Sequence, residues 1–143
     1  MTEFHKGPIA AASGLVVRQN KVLLIRRKNA PDQGAWGLPG GKIDWGETVA
    51  QTVVREVWEE TSVRCRPVEP LGFVEVLDRA EAGGIERHFL IAILLCETEE
   101  AEVVAGDDAV EAGWFTREEV SLIPTFQTYD VVSLIARVLP DNP

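Results

Sequence analysis

Between Gly40 and Val63 the chain reads GGKIDWGETVAQTVVREVWEETSV, and this stretch limits its possible folds more than any other. Leu38-Pro39 leads into a double glycine, Gly40-Gly41, whose backbone bends tightly and lets a ligand approach closely. Gly46-Glu47-Thr48 then opens a run in which Ala50, Val53, Val54, Val57 and Thr61 recur at helical spacing. At about 100° per residue these positions share one arc. Glu56, Glu59 and Glu60, related as i, i+3 and i+4, fall on the adjoining arc, so their carboxylates converge at the edge of the buried stripe. Carboxylates placed there repel one another and need a counter-charge. A divalent cation that prefers hard oxygen ligands, Mg²⁺ or Mn²⁺, is the natural neutraliser.

A bare acidic helix face is ordinarily no more than a solvated one. Two features set this one apart. Arg55 directly precedes Glu56, and Glu47 lies eight residues before Arg55, so the pair can clamp the glycine loop to the helix. The helix is also poorly built for its own sake, with β-branched Thr48, Val49, Thr52, Val53, Val54 and Val57 crowding it. Packing must hold it, and packing then holds its acids.

The spacing G-x5-E-x7-R-E-U-x-E-E-x-G-U, with U apolar, resembles the Nudix box. It falls here on Gly41, Glu47, Arg55, Glu56, Val57, Glu59, Glu60, Ser62 and Val63. Ser62 is the one departure, standing where the family has a glycine. A serine in the left-handed conformation that such a glycine supplies costs on the order of 1 kcal/mol, and it removes no chemistry. The flanking segments GAWGLPGG and GDDAVEAGWFTREEV look like the short ADP-ribose pyrophosphatase-like branch of the family.

The resemblance implies an α/β fold, an α/β/α sandwich with a mixed β-sheet and the box as a loop-helix-loop. It also implies metal-assisted hydrolysis of a nucleoside diphosphate linked to another moiety, with ADP-ribose the first substrate expected. A pool-cleaning nucleoside triphosphate pyrophosphohydrolase is the alternative, and a non-catalytic nucleotide-sensing module a more distant one. Carried over by position, Glu56, Glu59 and Glu60 ligate Mg²⁺ or Mn²⁺ together with the Gly40 carbonyl, and Glu56 is also a candidate base. Arg55 and Glu47 support the site. An acid on a late loop takes part in some members, and Asp107, Asp108 and Glu111 are the candidates here. Homodimers are common in the family, so a second copy is a possible partner.

Elsewhere the signals are coarser. Ile9 to Arg18 and Val22 to Lys28 read as a hairpin around Gln19-Asn20-Lys21, followed by a loop from Asn29 to Gly37. Strands are expected around Leu71 to Leu77, from Glu86 to Glu97 and from Ala112 to Phe115, with Thr98 to Asp108 an acidic loop. The apolar centre of the second of these suggests a sheet covered on both faces. Thr116 is an expected N-cap with Glu119 completing a capping box, and Thr125 to Leu139 an amphipathic final helix. Arg27 could reach a substrate phosphate, and Trp36 and Phe73 could stack on a base. Trp58 reads as packing or a dimer contact, Trp114 as core, and His88 as structural.

The 143 residues suit one domain. A net charge of −9 argues against a nucleic-acid polymer as partner, although a small phosphorylated substrate remains compatible where a metal supplies local positive charge. No apolar run reaches the ~18 residues that span a membrane, and no secretory signal is evident. Cys65 and Cys96 lack metal-ligand spacing and read as buried free thiols, which fits a cytoplasmic protein.

Overall fold

A computed structural model describes residues 7–140. Strand β1 (Ile9–Arg18) turns through Gln19 and Asn20, both at positive φ, into β2 (Lys21–Arg27). A two-residue turn with both φ values positive matches the twist of the strands it joins. Two short strands follow, β3 (Trp36–Gly37) and β4 (Gly40–Lys42), and then helix α1 (Val49–Thr61). The remainder is β5 (Arg66–Arg79), β6 (Ile85–Glu97), β7 (Ala109–Thr116), α2 (Arg117–Val120) and α3 (Val131–Ala136).

The strands form one mixed sheet in the order β3-β2-β1-β6-β5, with β4 paired to β1 and β7 to β2. Among the strands of the described residues only β1 and β6 run parallel, and β5 is an open edge. Strand alternation divides the core between the two faces. Leu15, Val22, Leu24 and Ile93 pack with Leu134 and Ile135 of α3. Ala12, Val16, Leu23 and Leu94 pack with Val53 and Val57 of α1. The sandwich inferred from the apolar β6 is therefore present. Both cysteines are buried and free, and no helix among the described residues is long and apolar enough to cross a membrane.

Helix α1 begins at Thr48, whose hydroxyl accepts the Gln51 N–H at 3.1 Å while the Gln51 side chain accepts the Thr48 N–H at 2.9 Å. Its weak intrinsic propensity costs a few tenths of a kcal/mol per β-branched residue. Full burial of Val53 and Val57 returns roughly 1.5–3 kcal/mol each and decides the matter. The buried arc is rotated from the expected one: Ala50 and Val54 are exposed, whereas Thr52 and Glu60 are buried. Ser62 ends the helix in the left-handed region at φ 61°, its N–H donating to the Trp58 carbonyl at 2.9 Å.

Three further boundaries differ from expectation. Strand β7 starts at Ala109 rather than Ala112, because Ala109 to Ala112 pair with Arg27 to Ile25 across a bulge. Strand β5 runs from Arg66 because it follows β6 along its whole length. The final helix is shorter, starting at Val131 instead of Thr125. The Trp36 N–H donates to the Pro124 carbonyl at 2.8 Å and the Phe126 N–H to the Trp36 carbonyl at 3.0 Å, so this segment serves as an extended bridge to β3. Asp130 then caps α3 through the Ser133 N–H at 3.0 Å.

Candidate active-site cleft

The glycine loop is fixed by contacts that leave no room for side chains. A Cβ on Gly40 would lie 2.4 Å from the Ala12 carbonyl, and one on Gly41 would lie 2.6 Å from the Glu56 carboxylate. The Gly40 N–H donates to Glu60 Oε1 at 2.8 Å. Glu60 is 3% exposed, and burial pushes its carboxyl up to about 8, opposed by that N–H. Its carboxylate faces the loop from within the buried arc.

Arg55 organises the acids. Its Nε and Nη2 donate to the two oxygens of Glu47 at 2.8 and 2.9 Å, a bidentate pair. Nη2 also reaches the Lys42 carbonyl at 3.2 Å, which ties the loop to the helix. Nη1 donates to Glu56 Oε1 at 2.7 Å and lies 3.3 Å from Glu59 Oε2. The Arg55 guanidinium, followed by the Asp44 N–H, holds the Glu47 carboxyl down at about 2. Burial raises the Glu56 carboxyl and Arg55 opposes the rise.

The loop after β6 lies directly on the end of α1. The Val104 N–H donates to the Thr61 carbonyl at 2.9 Å and the Gly106 N–H to the Glu60 carbonyl at 3.0 Å. A Cβ at Gly106 would stand 2.7 Å from the Glu59 carbonyl, so only glycine permits the approach. The next residue, Asp107 at φ 53°, thereby reaches Glu56 and Glu59, and ligand oxygens of all three lie within 4.8 Å of one another. Three hard oxygen donors this close fit a divalent cation such as Mg²⁺ or Mn²⁺. Glu60 does not belong to this triad. Asp108 lines the cleft, and Glu111 is drawn aside into an ion pair with Arg26.

The cleft itself has a volume of about 430 Å³. Strand β1 runs through it, with β4 paired on one flank and β6, followed by β5, on the other. The first flank carries the acids, Gly40 and Lys42; the second carries Val76, Phe89 and Ile91, joined by Phe126 and Tyr129. Arg27 enters the lining while its Nε donates to the Pro31 carbonyl at 2.9 Å.

Trp36 lies outside this lining, its ring edge-on to Phe115 at 4.8 Å. Phe73 is 64% exposed on β5 opposite Ala92, on the face away from Val76. Trp58 is exposed beneath the Arg64 guanidinium, and Trp114 is half-buried, donating to the Ala101 carbonyl at 3.0 Å. The sequence reading missed Phe89, Phe126, Tyr129 and Asp32. Phe89 was hidden within a strand of similar residues and the last aromatics within an expected helix, and Asp32 meets Gln127 only through a contact between positions 95 apart. The one local trace was the turn composition around Asp32, which sits at φ 64°.

A family model described as NUDIX domain matches residues 8–134. An ADP-ribose pyrophosphatase of Methanocaldococcus jannaschii is 40% identical over 108 residues, 76% of this chain and 62% of that relative. The mouse 8-oxo-dGDP phosphatase NUDT18 is 30% identical over 117 residues, which is 82% of this chain but 34% of the mouse protein. The chain thus spans less than two thirds of the length of either relative. Among solved structures, a MutT NUDIX hydrolase of Burkholderia pseudomallei superposes with a TM-score of 0.77 at 30% identity, covering 93% of this chain and 99% of its own.

Proposed function

The chain belongs to the Nudix family, and from that premise we propose that it is a metal-dependent pyrophosphohydrolase cleaving the diphosphate of a nucleoside diphosphate linked to another moiety. ADP-ribose is the substrate we place first. The observation that carries this reading is the convergence of Glu56, Glu59 and Asp107 beside a glycine loop that Arg55 and Glu47 hold to the same helix.

In this reading Glu56, Glu59 and Asp107 hold Mg²⁺ or Mn²⁺. When bound, the ion screens the anionic diphosphate and lowers the pKa of water at the site. Arg27 and Lys42 supply the positive charge that draws the diphosphate into the cleft. The side-chain-free Gly40-Gly41 lets it lie close to the backbone. Glu56 takes a proton from the attacking water as the new P–O bond forms. The anhydride P–O bond breaks, and its electron pair leaves with the departing phosphate. Arg55 keeps the Glu56 carboxylate aimed and leaves its second oxygen free of that bond. Glu60 holds the loop through the Gly40 N–H.

The relative named for ADP-ribose supports the first substrate. The relative named for 8-oxo-dGDP favours a second reading, a nucleotide-pool enzyme acting on free di- or triphosphates. A sensing module without turnover is disfavoured, since every box carboxylate is present. Product analysis with Mg²⁺ separates the substrates. ADP-ribose gives AMP and ribose 5-phosphate, whereas a triphosphate gives a nucleoside monophosphate and pyrophosphate. Failure to hydrolyse either class with Mg²⁺ or Mn²⁺ would overturn the proposal.

A cytoplasmic location and a homodimer complete it. The open edge of β5, with Phe73 and Leu77 exposed, is the surface we assign to the second copy. Sedimentation of Phe73→Glu as a monomer beside a dimeric parent would bear this out, and sedimentation of the parent itself as a monomer would refute it.

A further inference from the structure

Where β1 passes between the two flanks, the glycine loop is paired directly to it. Gly41 stands opposite Ala12 and Gly40 opposite Ser13, and the Gly14 N–H donates to the Pro39 carbonyl at 3.0 Å. Ser13 lines the cleft, and a Cβ on Gly40 would collide with its hydroxyl oxygen. That oxygen therefore lies against the bare backbone of Gly40. The residue is 5% exposed, and its hydroxyl has no hydrogen-bond partner among the described residues. Among those residues Tyr129 carries the fully enclosed unpartnered side-chain oxygen, so the Ser13 oxygen keeps an opening, and the opening is to the cleft that Ser13 lines.

A nearly buried hydroxyl without a partner costs the free protein stability and returns none. Alanine would meet the demand for a small side chain beside Gly40 without that cost. Ala11, two residues earlier on β1 and lining the same cleft, is such a residue. The neighbouring groups indicate what the hydroxyl serves. The Gly40 N–H is already given to Glu60 Oε1 at 2.8 Å, so it is not the donor for a ligand lying on the loop. Leu38 and Ile91 line the cleft with apolar side chains and offer no donor. The Ser13 O–H supplies one at that spot, and an ionised phosphate oxygen is an acceptor that makes a charge-assisted bond with it.

We propose that Ser13 is a substrate-binding residue whose hydroxyl donates a hydrogen bond to a non-bridging oxygen of the diphosphate as it lies on Gly40. The proposal rests on the diphosphate-hydrolase reading for its ligand class, but it makes a claim about binding that can be tested without turnover.

The test is calorimetric titration of the full chain and of Ser13→Ala with α,β-methylene ADP and with adenosine, Mg²⁺ present throughout, alongside thermal melting. The methylene bridge keeps the ligand from being cut, and adenosine lacks the phosphates. The parent should bind α,β-methylene ADP more tightly than adenosine. In Ser13→Ala the diphosphate ligand should bind about tenfold more weakly, with adenosine unchanged and the melting temperature equal or higher. Unchanged affinity for α,β-methylene ADP would overturn the proposal. So would a parent that binds it no better than adenosine. An equal loss for both ligands would also overturn it, with or without a lower melting temperature, by making the hydroxyl a support of the cleft and not a phosphate contact. Failure of the parent to hydrolyse any diphosphate, with this binding pattern intact, would count against the hydrolase reading and leave Ser13 in its role.

Discussion

Glu56 and Glu59 stand on adjacent turns of one helix, whereas Asp32 and Gln127, which meet on the other flank of the cleft, are 95 positions apart. The acidic flank is mostly a local object. The glycine loop, Glu47, Arg55 and the acids of α1 all lie within a single stretch, and one guanidinium links four of its groups. The apolar flank is assembled from β5, β6 and two loops, and it exists only once the sheet has formed. The contrast suggests that the chemistry is written in spacing, and the choice of substrate in tertiary contacts. Changes on the acidic flank should therefore act on turnover, and those on the apolar flank on binding.

The largest effect should follow Glu56→Gln. The account expects kcat to fall by about a thousandfold, with AMP binding nearly unchanged. The melting temperature should not drop, because burial already disfavours the ionised Glu56. Steady-state kinetics beside a melting curve checks this, and a variant that weakens AMP binding instead would blur the two flanks.

Arg55→Ala should cost about 10- to 100-fold in activity and should lower the melting temperature too, since Arg55 joins Glu47, Lys42 and Glu56. Limited proteolysis between Gly40 and Glu47 should speed up in parallel. An unaltered melting temperature would show that the loop holds without the clamp.

How far each flank was legible follows the same division. The α1 acids, the Glu47–Arg55 clamp and the Thr116 capping box were readable because each depends on neighbours within a few turns. The approach of Asp107 to Glu56 and Glu59 was not, because it rests on Gly106 packing against the Glu59 carbonyl. The final helix was read too long because nothing in its own residues announces that Phe126 is bonded to Trp36. Trp36 looked like a stacking platform by composition, and its place against Phe115 depends on the pairing of β2 with both β3 and β7.

On the apolar flank, Phe89→Ala should raise KM for ADP-ribose by about tenfold while kcat stays within about threefold. A fall in kcat at constant KM would contradict the separation. The smallest effect is a pH dependence of the clamp. The Glu47 carboxyl sits at about 2, below its ordinary 4.5, so its contribution to stability is complete above about 4.5 and lost as pH falls towards 2. The melting temperatures of the parent and Glu47→Gln should differ at neutral pH and converge across that interval. A gap that stayed constant would remove the ionised pair as its cause.

The central claim is that Glu56, Glu59 and Asp107 together hold a divalent cation. Titration of Mn²⁺ followed by electron paramagnetic resonance tests it most directly, comparing the parent chain with the combined Glu56→Gln, Glu59→Gln and Asp107→Asn variant. The account predicts saturable binding in the parent and its loss in the folded variant. Equal Mn²⁺ binding by both would contradict it.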